Sequence, residues 1–203
     1  MPFLGIWRAI ERLELRNAPQ AEYDKFAIYC EPEVAEFVPA IFESVIDALM
    51  LIEEVDPNRF ARIRNEMPRI FIRRGGGSEY RGLTETCVLE FNHARADSKG
   101  NIALTLVHEA AHARIYKAGI RYWPDLVERI EVRCVKEQIA FARRLGVVGW
   151  DVGATLRYLE TRLSSESRTP EARHHWRLRA LRARNAPSWV VRLFEVTGSA
   201  KKH

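Results

Sequence analysis

A chain of 203 residues, 47% of them hydrophobic, is long enough to bury a sizeable core as one domain. No stretch approaches the roughly 18 to 20 uninterrupted apolar residues that a membrane helix requires, which excludes a membrane-spanning helix. The net charge of +5 is unevenly spread, with 12 acidic against 5 basic residues in 1–60 and 10 basic against 3 acidic in 161–203. Three widely spaced cysteines, Cys30, Cys87 and Cys134, without a CxxC pair exclude a disulfide framework and a thiolate zinc cluster. Each lies in an apolar stretch and is expected to be a small buried hydrophobe; Cys134 is not expected to touch a functional site. The N-terminus lacks a basic region followed by an apolar run and a small-residue cleavage site, so a cytoplasmic location is expected.

Residues 3–15 carry apolar side chains at helical spacing and predict a short amphipathic helix. Residues 25–30 read as a strand closed by Pro32. A long helix follows over 33–55, burying Val38, Ile41, Phe42, Val45, Ile46, Ala48, Leu49 and Ile52, with Pro39 bending it or setting its true start. Asp56 and Pro57 end it, and a short helix through Phe60 and Ile63 precedes Pro68. Residues 69–74 alternate as a strand, Gly75 to Gly77 break it, and residues 84–92 form another strand with Cys87, Leu89 and Phe91 on one face. His93 falls in the loop that follows. Asp97 to Asn101 supplies N-cap residues for the next helix, which Gly119 terminates. Pro124 opens a further helix running to Arg144 or Leu145, and residues 151–163 and 170–184 are expected to be helical. From Gly198 the chain is expected to fray.

The most informative stretch is 105–113, where His108, Glu109 and His112 form an HExxH motif. Two histidines four apart on a helix differ by about 40° and about 6 Å along the axis, so both imidazoles leave one face and can grip one metal ion, read here as Zn²⁺. Glu109 sits at the rim of that face, where its carboxylate can serve as a general base without being a ligand. The apolar residues Ile102, Leu104, Leu106, Val107, Ala110 and Ala111 bury the helix and hold the imidazoles neutral, as a metal requires.

With this motif the chain resembles the zincin metallopeptidases, specifically the gluzincin branch, over roughly residues 25 to 145. In that branch a glutamate some twenty residues downstream completes the site. Glu131, 19 residues beyond His112 among Val127, Ile130, Cys134 and Val135, is the position the resemblance implies, with Glu128 one turn earlier as its competitor. The alternative for either is an ion pair with Arg129, Arg133 or Arg114. Two positions depart from the pattern: Arg114 stands where an apolar residue is usual, and Val135 where an acid often orients a ligand histidine. Glu128, Asp125 or a backbone carbonyl could take that orienting role.

The resemblance implies an α+β, zincin-like fold with a small mixed or antiparallel sheet, then an active-site helix and a mostly helical C-terminal half. Residues 1–98 form its helix-plus-sheet part, 99–145 the active-site helix and the glutamate helix, and 146–203 a basic helical end. It further implies zinc-dependent hydrolysis of a peptide or protein, with Glu109 passing the water proton to the leaving amine. Residues 84–92 would be the edge along which substrate pairs. Candidate oxyanion donors are Tyr122, Tyr158, His174 and His175. The other class of function is a non-catalytic interaction or regulatory module whose basic helix, with Arg173, Arg177, Arg182 and Arg184 set between Trp176, Leu178 and Leu181, binds an acidic partner or nucleic acid. Such a stripe more often packs on a core, so nucleic acid is not the expected partner. Oligomeric state is open.

Overall fold

The computed structural model describes residues 3–16, 18–32, 37–96, 98–120 and 126–146. The architecture is α+β: a five-stranded mixed sheet with helices packed against it. Helix α1 (Phe3–Arg16) leads into a hairpin of β1 (Gln20–Tyr23) and β2 (Phe26–Cys30). The hairpin turns on Asp24 and Lys25, whose φ angles of 37° and 72° are both positive, as a two-residue reversal of this hand demands. No glycine marks that turn, which is why the sequence pattern shows only the second strand.

Strands β2 and β3 (Arg69–Arg73) run parallel, so the chain must cross over between them. It does so through α2 (Val38–Val55), which has Pro39 in its first turn, and α3 (Pro57–Glu66). Strand β5 (Thr86–Glu90) lies parallel to β3 on one side and antiparallel to β4 (Glu79–Arg81) on the other, giving the order β1-β2-β3-β5-β4. The expectation that residues 84–92 form the substrate edge is therefore corrected. Strand β5 is hydrogen-bonded on both sides and buried at all five positions, and the short β4 is the edge. The sequence pattern missed β4 because it has three residues, too few for a period to register. The strand also ends earlier than expected. Phe91–Ala96 is a helix, α4, which takes in His93. Glu90 explains the switch: its carboxylate accepts the Asn92 N–H and side-chain amide at 3.0 Å each, meeting a donor that a first helical turn would otherwise leave unpaired.

The core lies between the sheet and helices α2 and α5 (Lys99–Lys117). Phe26, Ile28, Ile70, Ile72, Cys87 and Leu89 from the sheet meet Ile41, Val45, Leu49 and Ile52 of α2 and Ile102, Leu106 and Ala110 of α5. At the β4–β5 end, α1 is tied down by Glu14, which accepts from Arg81 at 2.6 Å, and by Glu11, which accepts from the Thr84 hydroxyl at 3.0 Å. Helix α6 (Val127–Arg144) packs against α5 through a seam of Ala111, Ile130 and Cys134, and its Phe141 and Ala142 join the main core. Among the described residues no helix is long and apolar enough to cross a membrane.

Asp56 joins these layers. Its carboxylate caps α3 by accepting the Arg59 N–H at 3.1 Å, and it pairs with the Arg59 guanidinium and with Arg144 of α6 at 2.7 Å. Burial works against its charge, but those donors outweigh it and hold the carboxyl below its ordinary value of 3.8. A depressed folded-state value means that the charged form stabilises the fold above pH 3.8 and that this is lost as pH falls further. Wild type should therefore melt above Asp56→Asn at pH 7, with the gap closing below about pH 4. A gap unchanged down to pH 2 in thermal melts would refute the assignment.

Candidate metal centre

Ser98 starts α5 by accepting the Asn101 N–H, and the helix ends at Ala118 with Gly119 at φ +83°. Between these ends α5 is enclosed by α2, α6 and the sheet, so most of its residues from Ile102 to Ala113 are buried. The helical spacing places His108 and His112 on the face that meets α6. Their Nε2 atoms stand 3.0 Å apart and their rings cross at 67°. From α6, Glu131 brings Oε2 to 3.4 Å from the His108 Nε2 and 3.7 Å from the His112 Nε2. Glu131 is partly buried, whereas Glu128 is exposed.

The opposite edges of the two rings are also met from α6. Cys134 Sγ lies 3.2 Å from the His112 Nδ1, and the Gln138 side-chain oxygen lies 3.3 Å from the His108 Nδ1. Residues 131, 134 and 138 follow one another at helical intervals of three and four, so one face of α6 supplies all three contacts. His108, His112 and Cys134 offer ligand atoms within 4.8 Å of one another, and this largely buried group could hold a metal ion. The expectation for Cys134 is thus corrected: it is fully buried, yet its sulfur touches a site histidine. The signal was available, because 131 and 134 share a helix face.

Charge balance in this pocket is tight. Burial pushes His112 down to about 4, with the His108 charge adding to this and the Glu131 carboxylate opposing it. Burial also pulls on His108, but the Glu131 hydrogen bond, the Glu109 charge and Gln138 together outweigh it and raise this histidine. Two imidazole nitrogens at 3.0 Å beside a carboxylate call for one cation among them, either a proton on His108 or a metal ion. Cys134 remains a thiol, since burial raises it far above its ordinary value.

Glu109 follows His108 on α5 and turns its carboxylate towards β4, where the Tyr80 backbone amide donates to it. Glu109 is 5% exposed, and its Oε2 is buried with no hydrogen-bond partner among the described residues. Burial raises its carboxyl to about 7; the charge of Glu131 adds to this, while the charge of His108 and the Tyr80 backbone amide offset part of it. A group poised there can both take and return a proton near neutrality.

Arg114 and Arg133 do not pair with Glu131 but reach Glu137, at 3.6 and 3.3 Å. Val135 is buried and plays no orienting part; Cys134 and Gln138 occupy the ring edges where Glu128 or Asp125 was expected. Asp125, Tyr122, Tyr158, His174, His175 and the basic stretch 170–184 lie outside the described residues. Comparison of the chain with protein-family models, with curated proteins and with solved structures finds no match.

Proposed function

We propose that the chain is a zinc-dependent metallopeptidase of gluzincin type, with His108, His112 and Glu131 as ligands and Glu109 as general base. The observation that carries the reading is the convergence of two imidazole nitrogens and one carboxylate oxygen. Zinc bonds of 2.0 to 2.2 Å to such atoms, set tetrahedrally, put neighbouring ligands about 3.4 Å apart. The three separations, 3.0, 3.4 and 3.7 Å, straddle that value. Cys134 faces the Nδ1 edge of His112, away from the point where the two Nε2 atoms converge, so Glu131 is the better third ligand.

Zinc held there would leave one position open, where it would lower the pKa of water and polarise a scissile carbonyl. This chain's own residues then do the rest. Both imidazoles must be neutral to bind the metal, which makes metal uptake stronger as pH rises. Glu109 takes a proton from the attacking water and returns it to the leaving amine, work suited to a carboxyl raised to about 7. Strand β4 stands at the sheet edge beside α5, the place an extended peptide would need for pairing along the cleft. A cytoplasmic location belongs to the same proposal.

The purified chain should carry about one zinc ion per molecule and cleave unstructured peptides, and His112→Ala should lose both. Elemental analysis with a peptide-cleavage assay reads this. Stoichiometric zinc without cleavage of any peptide would favour the non-catalytic scaffold instead.

A further inference from the structure

Metal-ligating histidines usually pass their second ring N–H to a carboxylate or a backbone carbonyl. Here the second nitrogens meet the Cys134 sulfur and the Gln138 side-chain oxygen. We propose that Cys134 and Gln138 are positioning residues that accept the Nδ1 hydrogens of His112 and His108, holding both imidazoles in the tautomer that turns Nε2 towards Glu131. The inference rests on the zinc reading above and deepens it.

The geometry supports a working pair rather than a chance contact. Cys134 Sγ stands 3.2 Å from one Nδ1, within reach for a sulfur acceptor, and Gln138 Oε1 stands 3.3 Å from the other. Each histidine therefore has one edge turned to α6's orienting atoms and one to the point where the ligand atoms meet. Both orienting groups are neutral, where a carboxylate would make its imidazole a more basic ligand. The same helix carries Glu131, so one rigid face of α6 fixes the third ligand and both ring orientations together. A shift of α6 against α5 would disturb all three at once. The pair thereby accounts for how the chain manages without an acid at Val135.

Gln138 is partly exposed, so its variants should fold. Zinc affinity measured by competition with a chelator should fall about 10-fold or more in Gln138→Leu and in Cys134→Val, the lower end of the range for outer-shell partners. Gln138→Glu should bind zinc more tightly than Gln138→Leu and at least as tightly as wild type, and Cys134→Ser should lose less than Cys134→Val. Melting temperatures of the metal-free variants would show whether packing alone explains the losses, since a merely structural role would not make affinity follow the acceptor. Affinity equal to wild type in both Gln138→Leu and Cys134→Val would overturn the proposal. A thiolate-to-cobalt charge-transfer band in the cobalt-loaded wild type, absent in Cys134→Ser, would also overturn it by making Cys134 a ligand. A wild-type chain that binds no zinc would sink the metallopeptidase reading as well; one that binds zinc while all variants match it would sink only this inference.

Discussion

The Glu109→Gln variant should keep about one zinc ion per chain and hydrolyse peptides about 10²- to 10⁴-fold more slowly, the range a positioned acid–base group contributes. Glutamine has nearly the same shape but cannot accept and return the proton, so zinc binding and catalysis should separate cleanly. The fold should not suffer. A carboxylate that is 5% exposed, with one oxygen lacking a partner among the described residues, costs stability whenever it is ionised. Its folded value of about 7 against an ordinary 4.5 means the folded state holds its proton longer than the unfolded chain does. Metal-free wild type should therefore lose stability as pH rises between these two values, and Glu109→Gln should lose less. Parallel melts at pH 4.5 and 7.5, beside a cleavage assay, test both halves. Undiminished cleavage by the glutamine variant would remove Glu109 from the chemistry.

The second large effect concerns the third ligand. Glu131→Ala should weaken zinc binding by more than the roughly 100-fold upper limit of an outer-shell residue, because it takes away a bond to the metal. Glu128→Ala should leave affinity within a few-fold of wild type, since that side chain is exposed on the first turn of α6. The loss in Glu131→Ala has a second source. His108 and His112 would still face each other at 3.0 Å, now without the carboxylate that balances a cation between them. Isothermal titration of both variants decides the matter, and the reverse order of effects would reassign the ligand to Glu128.

Much of the framework was legible in the chain. The long apolar face of α2, the β-branched and aromatic run of β3, the N-cap residues ahead of α5 and the stop at Gly119 all follow from local patterns, although β3 is buried on both faces rather than alternately. The face shared by His108 and His112 follows from helical pitch alone. What stayed hidden depended on pairing at a distance. Strand β1 turns on Asp24 and Lys25, which carry no glycine signature, and β4 is too short to show a period. The inner position of β5 is set by which strands flank it, a property of topology that its own residues do not encode. Phe91 extends the alternation of Cys87 and Leu89, yet Phe91–Ala96 is helix, because the Glu90 carboxylate captures the next backbone donor.

The candidate centre divides along the same line. Glu131 was placed by its distance from the motif, and the structure brings it to both Nε2 atoms. Cys134 was set aside as a packing residue, although its spacing from Glu131 put it on the same face of α6. Gln138 was missed because an amide one further turn along gives no signal until α6 is docked against α5. Arg114 and Arg133 could each have neutralised Glu131, and only their shared engagement with Glu137 shows where those charges go.

X-ray diffraction at the zinc absorption edge, on crystals loaded with one equivalent of zinc, bears most directly on the account. It predicts a single anomalous peak between α5 and α6, about 2.0 to 2.2 Å from the His108 Nε2, the His112 Nε2 and the Glu131 carboxylate, with solvent at the fourth position. A peak bonded to Cys134 Sγ in place of Glu131, or no ordered ion between the two helices, would contradict it.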